Sequence, residues 1–300
     1  MSKPKSFLPV LALIVTSVLW GINAPIIKLG LESIPVPIFI SIKFLIISLF
    51  LLPFAIKTWK PLKSKELGVL ILGSLIWFTA NNLALNFGLH DAPSINSGII
   101  NLFGPLLLFM LSAEFLKERI SLRSFIGVLV AFAGGMVIIG KPWEAAVSGQ
   151  TVLLGNILLL VSVLCSVIGI LIIKPVLKKT STYQATFIYL FAGVAPIACY
   201  ALTQLRGWSV HDITHGGYVA LAYSLLALPP ANLLFMYGLK YKQAHSVGVY
   251  DYLQAVSVII AAWFILGEHP SPTFSIGAVL VFLGVYLAEA KQRRKMLPRN

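Results

Sequence analysis

Residues 115–127 read FLKERISLRSFIG, and residues 265–277 read ILGEHPSPTFSIG. The two stretches align without a gap at a constant spacing of 150 residues, and the match continues on both sides of them. The matching pairs at this spacing are Asn82 and Asn232, Gly88 and Gly238, Gly98 and Gly248, Glu118 and Glu268, Ser121 and Ser271, Gly127 and Gly277, and Gly134 and Gly284. A series of this length without gaps indicates an internal repeat.

The composition around this repeat is too apolar for a water-soluble domain. Hydrophobic residues occupy 58% of the 300 positions, charged residues occupy only 11%, and the mean hydropathy is +0.90. Apolar runs of about 20 residues, long enough to cross a bilayer core as a helix, follow one another along the chain. The sequence therefore predicts an all-α membrane protein.

Prolines and charged residues separate ten apolar runs. The predicted transmembrane helices cover residues 7–29, 36–57, 66–88, 93–115, 121–140, 152–176, 182–204, 216–239, 244–266 and 272–290. Because each repeat holds an odd number of helices, the second repeat must enter the membrane in the opposite direction from the first. We therefore predict two inverted five-helix repeats, over residues 7–140 and 152–290, followed by a basic cytoplasmic tail over residues 291–300.

Lysine and arginine are segregated to one side of these helices. That side carries Lys3, Lys5, Lys57, Lys60, Lys63, Lys65, Lys117, Arg119, Arg123, Lys174, Lys178, Lys179, Lys240, Lys242, Lys291, Arg293, Arg294, Lys295 and Arg299. The opposite side carries Lys28, Lys141 and Arg206. Since positive loops are retained in the cytoplasm, both termini are predicted to be cytoplasmic. The net charge of +13 is spread over short loops and not gathered on one face, which argues against a nucleic-acid partner.

Two ionisable residues lie deep in predicted helices. Asp251 and Lys43 each stand about seven residues from the start of a helix. A charge at the bilayer centre costs about 2.5–3.5 kcal/mol on insertion scales, so a role in transport or binding is favoured over a structural ion pair or a snorkelling side chain. Because their helices enter from opposite sides, we expect a shared water-filled cavity and no direct contact.

Other polar and aromatic residues accompany these two, with cavity lining and helix packing as alternative roles. They are Asn23, Trp77, Asn82, Asn101, Asn232, Tyr250 and Gln254. Asn101 is the repeat counterpart of Asp251, so the position is polar in both halves and titratable in only one. This asymmetry is a reason to predict proton coupling through Asp251. Lys43 could instead attract a substrate carboxylate or phosphate.

The sequence predicts no metal or other cofactor and no catalytic site. Cys165 and Cys199 fall inside apolar helices, which gives no support to a disulfide framework. The five histidines lie in loops or at helix ends without metal-ligand spacing, and we expect them to be solvated. Among ten acidic residues only Asp251 lies deep in a helix and Glu114 near a cytoplasmic end, too few for a paired-carboxylate enzyme. Gly127 with Gly134, and its copy in the second half, indicate close helix packing, because no strand precedes them as a phosphate loop requires.

Several motifs resemble the drug/metabolite transporter superfamily, and its EamA-domain branch in particular. They are Leu19-Trp20-Gly21-Ile22-Asn23, Gly104-Pro105, Glu114-Phe115-Leu116-Lys117-Glu118-Arg119-Ile120-Ser121, and Leu266-Gly267-Glu268 with Gly277 and Gly284. The resemblance covers nearly the whole chain and implies ten helices, two five-helix repeats and a central substrate cavity. The second repeat carries Gln254-Ala255 where the first has Gly104-Pro105, so no proline-based break is expected in helix 9.

These observations together predict a secondary transporter. We expect an exporter of small polar metabolites such as amino acids, working by alternating access and driven by a gradient, with protons as a candidate coupling ion. Its partners would be a small-molecule substrate, membrane lipid and protons, and its oligomeric state stays open. The compact loops favour a bacterial inner membrane. A membrane-embedded accessory subunit or an enzyme without independent transport is the alternative.

Overall fold

The computed structural model describes residues 7–91, 100–118, 120–139, 150–266 and 273–289. Within these ranges the chain forms ten helical units, as predicted. They are α1 (Phe7–Leu31), α2 (Val36–Lys57), α3 (residues 64–91), α4 (Phe103–Phe115), α5 (Leu122–Ile139), α6 (Gln150–Leu177), α7 (Thr182–Leu202), α8 (His215–Tyr241), α9 (residues 244–266) and α10 (Phe274–Glu289). The predicted start of helix 4 at residue 93, that of helix 10 at residue 272 and the basic tail over residues 291–300 lie outside the described residues.

The lengths and surfaces of these helices fit a bilayer. Within the described ranges, seven units are long and apolar enough to cross a membrane, and α4, α5 and α10 are shorter apolar helices. Large apolar side chains are exposed around the outside, with Leu226 on α8 at 80% and Phe264 on α9 at 77%. Such a surface is unfavourable in water and favourable among lipid tails. The chain is therefore a multi-pass integral membrane protein.

The units α3 and α9 are interrupted, and a turn at Leu102 separates the helical residues 100–101 from the start of α4. The helix α3 runs through Ser64–Ser74, a π-helical turn at Leu75–Ala80 and a last segment at Asn81–Asp91. The helix α9 consists of Ala244–Gly248 and Asp251–Leu266, with Val249 and Tyr250 in the turn between them. As expected, no proline causes the break in α9. Ser17 Oγ of α1 donates to the Tyr250 carbonyl at 2.9 Å and so satisfies a backbone acceptor at the break.

The pattern of contacts between helices stays the same when each helix is replaced by its counterpart in the other half. Three contacts join a helix to its own counterpart in the other repeat, namely α2 with α7, α4 with α9 and α5 with α10. The contact of α1 with α8 is matched by that of α6 with α3, and the contact of α1 with α9 by that of α6 with α4. This pattern is what a pseudo-twofold axis produces, and it confirms the inverted repeat.

Glycines bring α5 and α10 together reciprocally. A Cβ added to Gly127 would lie 2.7 Å from the Gly284 carbonyl oxygen, and one added to Gly134 would lie 2.7 Å from the Gly277 carbonyl oxygen. Since Gly277 is the counterpart of Gly127 and Gly284 that of Gly134, each helix presents the same surface to the other. The predicted packing role of these glycines is confirmed.

One hydrogen bond joins two counterparts directly. Tyr252 Oη on α9 donates to the Leu102 carbonyl at 3.1 Å, and the two residues are 150 positions apart, which is the repeat spacing. A residue can touch its own counterpart only where the axis passes between them. The pair therefore marks the pseudo-twofold axis at the contact of α4 with α9.

Candidate functional site

A chain of six aromatic rings links both halves of the protein. Centroids of successive rings are 4.6–5.5 Å apart, with tilted or edge-to-face geometry that suits aromatic pairs. Its members, in order of contact, are Trp20 (α1), Phe235 (α8), Trp77 (α3), Tyr189 (α7), Phe78 (α3) and Phe44 (α2). We call this group the aromatic cluster. Five helices meet at it, and three of them come from the first repeat.

The π-helical turn of α3 supplies two members of the cluster. Gly169 on α6 lies so close that an added Cβ would be 2.2 Å from the Trp77 Cβ, and a Cβ on Gly193 of α7 would be 2.5 Å from the Phe78 Cβ. Thr79 Oγ1 also donates to the Gly193 carbonyl at 2.5 Å. The glycines on α6 and α7 therefore make room for the wide turn that directs Trp77 and Phe78 into the cluster.

Asp251 begins the longer segment of α9, where α1 packs against it. Ser17 holds the preceding residue through its carbonyl, and a Cβ on Gly21 would lie only 2.4 Å from a side chain of α9. Trp20, between these two on α1, is a member of the aromatic cluster. In the described part of the chain, no hydrogen bond or salt bridge reaches the partly buried Asp251 carboxylate. That carboxylate is therefore available to a ligand or a proton.

Lys43 lies near the other end of the aromatic cluster. Its side chain is buried, with 4% of its surface exposed, and its Nζ lies 4.4 Å from the ring centroid of Phe39 and 5.1 Å from that of Phe44. These distances are those of cation–π contacts. Among the described residues, Lys43 and Asp251 form no salt bridge with each other, and their sharing of a cavity stays a prediction.

Two predicted asparagines make the same bond in the two repeats. Asn82 Nδ2 donates to the Phe78 carbonyl and Asn232 Nδ2 to the Leu228 carbonyl, each at 2.8 Å and each one turn back along its own helix. Donors and acceptors alike are 150 positions apart. Both amide nitrogens thus bond within their own helix, and the choice between cavity lining and packing between helices stays a prediction for these two residues.

The remaining predicted residues are placed unequally. Tyr250 is buried and Gln254 partly buried, and both lie within one turn of Asp251 on α9. Asn23 is partly buried on α1, three residues after Trp20 of the aromatic cluster. Asn101, the counterpart of Asp251, is exposed. Of these residues, Asn23 lies closest in sequence to a member of the cluster, and Asn101 directly precedes Leu102, whose carbonyl accepts from Tyr252 of α9.

Several hydrogen-bonded polar residues lie near the predicted cytoplasmic ends of the helices, and their contacts were not predicted from the sequence. Glu118, in the loop after α4, accepts from the backbone N–H groups of Ala244 at 2.7 Å and His245 at 3.3 Å, and from His245 Nδ1 at 2.8 Å. Nearby, Lys174 Nζ donates to the carbonyls of Leu239 and Lys242 at the end of α8. Only 2% of His245 is exposed, so the expectation that it is solvated was wrong. Because Glu118 packs against the start of α9, it covers the imidazole ring of His245 and is its hydrogen-bond partner.

Glu118 predicts a pH-dependent contribution to stability. Burial works to raise the pKa of its carboxyl, but hydrogen bonds from His245 and from two backbone N–H groups outweigh burial, so the pKa lies below its ordinary value. Stability gained from a lowered pKa is present above the unfolded-state pKa, about 4.3, and is lost as pH falls through the folded-state value. Glu118→Gln should therefore lower the Tm by about 2–8 °C near neutral pH and by progressively less in acid.

Thermal unfolding in detergent from pH 7 down to pH 3 measures this effect. Glu114→Gln is the matched control, because Glu114 is exposed and its carboxylate pairs with the exposed Lys117 at 3.4 Å. A Glu118→Gln deficit that stays constant over this pH range, or that Glu114→Gln reproduces, would contradict the capping role.

Comparison with known proteins gives one family and several relatives. The model of the EamA-like transporter family matches residues 7–140 and, a second time, residues 153–289. The uncharacterized transporter YetK of Bacillus subtilis strain 168 is 28% identical over 282 residues, covering 91% of this chain and 84% of the relative. A probable amino-acid metabolite efflux pump of Salmonella typhimurium strain LT2 is 24% identical over 297 residues, covering 96% and 95%.

A solved crystal structure has the same fold. It superposes with a TM-score of 0.75 at 16% sequence identity, covering 96% of this chain and 99% of that chain. At this level of identity the likeness concerns the arrangement of the helices alone.

Proposed function

This chain belongs to the EamA-like transporter family, and from that premise we propose that it exports small polar metabolites such as amino acids by alternating access. The observation that carries the proposal is the site around the aromatic cluster. Both repeats contribute to it, and a basic residue, Lys43, lies beside its Phe44 ring. An acidic residue, Asp251, follows the Tyr250 carbonyl that Ser17 binds one turn before Trp20. The basic residue and the aromatic rings are complementary to a carboxylate with an apolar body, and Asp251 is left for the proton. The name of the Salmonella relative supports amino acids as the class.

Alternating access is supported by the symmetry of the helix contacts. Each half can adopt the conformation of the other, so that the site between them opens to one side of the membrane and then to the other. The interruptions of α3 and α9 lie at the site itself. Discontinuous helices are common where transporters bind their substrates, because they place backbone polar groups beside the ligand.

Proton coupling through Asp251 is part of the proposal. The residue is partly buried, and the Tyr250 carbonyl just before it accepts from Ser17 of α1, one turn from Trp20 of the cluster. In the coupled cycle, Asp251 takes up a proton from outside after the exported solute has left the protein, and gives that proton to the cytoplasm before the next solute binds. Net export is then driven by the proton gradient.

The membrane and the orientation also belong to the proposal. The segregation of lysine and arginine supports cytoplasmic termini, and the bacterial relatives support a bacterial inner membrane. The repeats over residues 7–140 and 152–290, with a basic tail over residues 291–300, remain our division of the chain.

Counterflow in liposomes tests the transport function. Purified protein in vesicles preloaded with a mixed library of unlabelled amino acids, sugars and amines should accelerate the uptake of one labelled class over empty vesicles. Vesicles with an unrelated membrane protein control for leak. If uptake matches the controls for every compound while the protein is folded, the lone carrier is refuted and the accessory or enzymatic alternative returns.

A further inference from the structure

Three buried polar groups, on α1, α2 and α8, have no polar partner among the described residues. Lys43 Nζ on α2 faces two aromatic rings. Asn23 Oδ1 on α1 and Ser224 Oγ on α8 are both buried and make no hydrogen bond within the described part of the chain. A buried polar atom without a partner costs free energy, so three of them on neighbouring helices call for an explanation.

The three residues lie on helices that pack together. Tyr223 Oη on α8, next to Ser224, donates to the Leu19 carbonyl of α1, one turn from Asn23, at 2.8 Å. Ile26 of α1, Phe39 of α2 and Ala220 of α8, each within about one turn of one of the polar residues, belong to one apolar cluster. Asn23, Lys43 and Ser224 therefore contribute one polar group each to a region where α1, α2 and α8 meet.

The geometry at Gly30 brings two of these groups together. A Cβ on Gly30 of α1 would lie 2.9 Å both from the Ala220 Cβ of α8 and from the Phe39 ring of α2, so the three helices meet there. Ser224 follows Ala220 by four residues and Lys43 follows Phe39 by four, which is about one turn deeper on the same faces. Ser224 and Lys43 therefore occupy equivalent levels on facing helices.

The chemistry of the three groups specifies a ligand. Lys43 can only donate and needs an anionic oxygen, Asn23 Oδ1 can only accept and needs an N–H or O–H donor, and the Ser224 hydroxyl can do either. Aromatic faces stabilise the ammonium partly, but they supply no counter-charge. An α-amino acid carries a carboxylate and an ammonium two bonds apart, and so offers both missing partners in one head group.

We propose that Lys43, Asn23 and Ser224 form the head-group site of the substrate, with Lys43 and Ser224 binding the carboxylate and Asn23 accepting from the α-ammonium. This inference rests on the proposed function and gives it a substrate class. The ring of Phe44, beneath Lys43, and Trp20, one turn from Asn23, belong to the aromatic cluster. The substrate side chain then extends along that cluster, which favours apolar and aromatic amino acids.

Ligand-induced thermal stabilisation of the purified protein tests the site. The probes are L-phenylalanine, phenethylamine, which lacks the carboxylate, and 3-phenylpropanoate, which lacks the ammonium. L-Phenylalanine should stabilise the native protein most, 3-phenylpropanoate less and phenethylamine least. Lys43→Met should weaken the apparent affinity for both carboxylates by about tenfold or more, whereas Lys43→Arg should retain most of it.

The Tm of the Lys43→Met protein without ligand distinguishes a ligand-binding lysine from a structural one. Removing a buried ammonium without a counter-ion should leave the ligand-free Tm unchanged or raise it, whereas a lysine that holds the fold together would lower it on removal. Ser224→Ala should weaken L-phenylalanine binding in the same direction. Its matched control is Ser48→Ala, because the buried Ser48 Oγ already donates to the Phe44 carbonyl at 2.6 Å. The Ser48→Ala substitution should leave binding unchanged.

Each adverse outcome refutes one claim. If Lys43→Met keeps the native preference for L-phenylalanine over phenethylamine, or if neither carboxylate stabilises the native protein, the head-group site is wrong. Liposomes that exchange only compounds without a carboxylate would sustain the carrier and refute this site. Binding of L-phenylalanine with no exchange of any compound would sustain the site and refute the proposed function.

Discussion

Replacing Gly284 by leucine should prevent the two halves from docking and abolish most of the folded yield. A Cβ at this position would lie 2.4 Å from the Ala131 backbone nitrogen and 2.6 Å from the Gly127 carbonyl oxygen, both on α5. Backbone atoms in a packed helix cannot move aside as the end of a flexible side chain can. We expect a loss of at least about 3 kcal/mol of stability, since overpacking of this kind requires the helices to separate.

Size-exclusion chromatography and thermal unfolding of the detergent-purified variant measure this loss. Gly68→Leu is the matched control, because Gly68 is an exposed helical glycine of α3 and an added Cβ there would have no atom within 4 Å. The two substitutions make the same change in helix propensity, so only packing distinguishes them. A Gly284→Leu protein as monodisperse and as stable as Gly68→Leu would contradict the reciprocal contact of α5 with α10.

Replacing Asp251 by asparagine should uncouple transport from the proton gradient. The substitution keeps the size of the side chain and removes its ability to carry a proton, and Asn101 shows that the equivalent position of the other repeat accommodates an asparagine. Uptake driven by an imposed pH gradient should fall to the rate without a gradient, a loss of about tenfold or more if the gradient supplies at least 1.4 kcal/mol. Exchange of substrate for substrate, which needs no net proton movement, should persist.

Paired measurements in one vesicle preparation separate these two activities. Glu32→Gln controls for the loss of a carboxylate as such, since Glu32 is exposed just beyond the end of α1. If Asp251→Asn vesicles still respond to the pH gradient like native ones, Asp251 is not the coupling residue. If they lose exchange as well, Asp251 binds the substrate itself.

The helices and their arrangement could be predicted because their signals are local. Apolar runs, charged loops and a fixed repeat spacing are properties of the chain before it folds, and the structure confirms all ten helical units. The π-helical turn in α3 depends on contacts between helices. Its cause lies on α6, where Gly169 admits Trp77, and no pattern within α3 indicates it.

The site was predictable to the extent that its residues are unusual for a membrane. Asp251 and Lys43 are conspicuous because charge is rare in apolar helices. Tyr189 and Phe235 are not conspicuous among the 10 tyrosines and 18 phenylalanines of the chain, and only the fold selects them for the aromatic cluster. His245 was misjudged because its environment depends on Glu118, 127 residues earlier in the sequence.

The hydrogen bond between Tyr252 and Leu102 shows how a chain with two repeats can differ from a homodimer of single repeats. In a homodimer of single repeats, both subunits would bring the same residue to the axis, so two tyrosines or two leucines would meet there. Fusion of two gene copies removes that constraint, because each copy can then mutate alone. Asp251 and Asn101 immediately precede this pair, and the same freedom lets the protein carry a titratable group in only one of its halves. A duplicated gene thus gained at its axis an asymmetry that no symmetric dimer could encode.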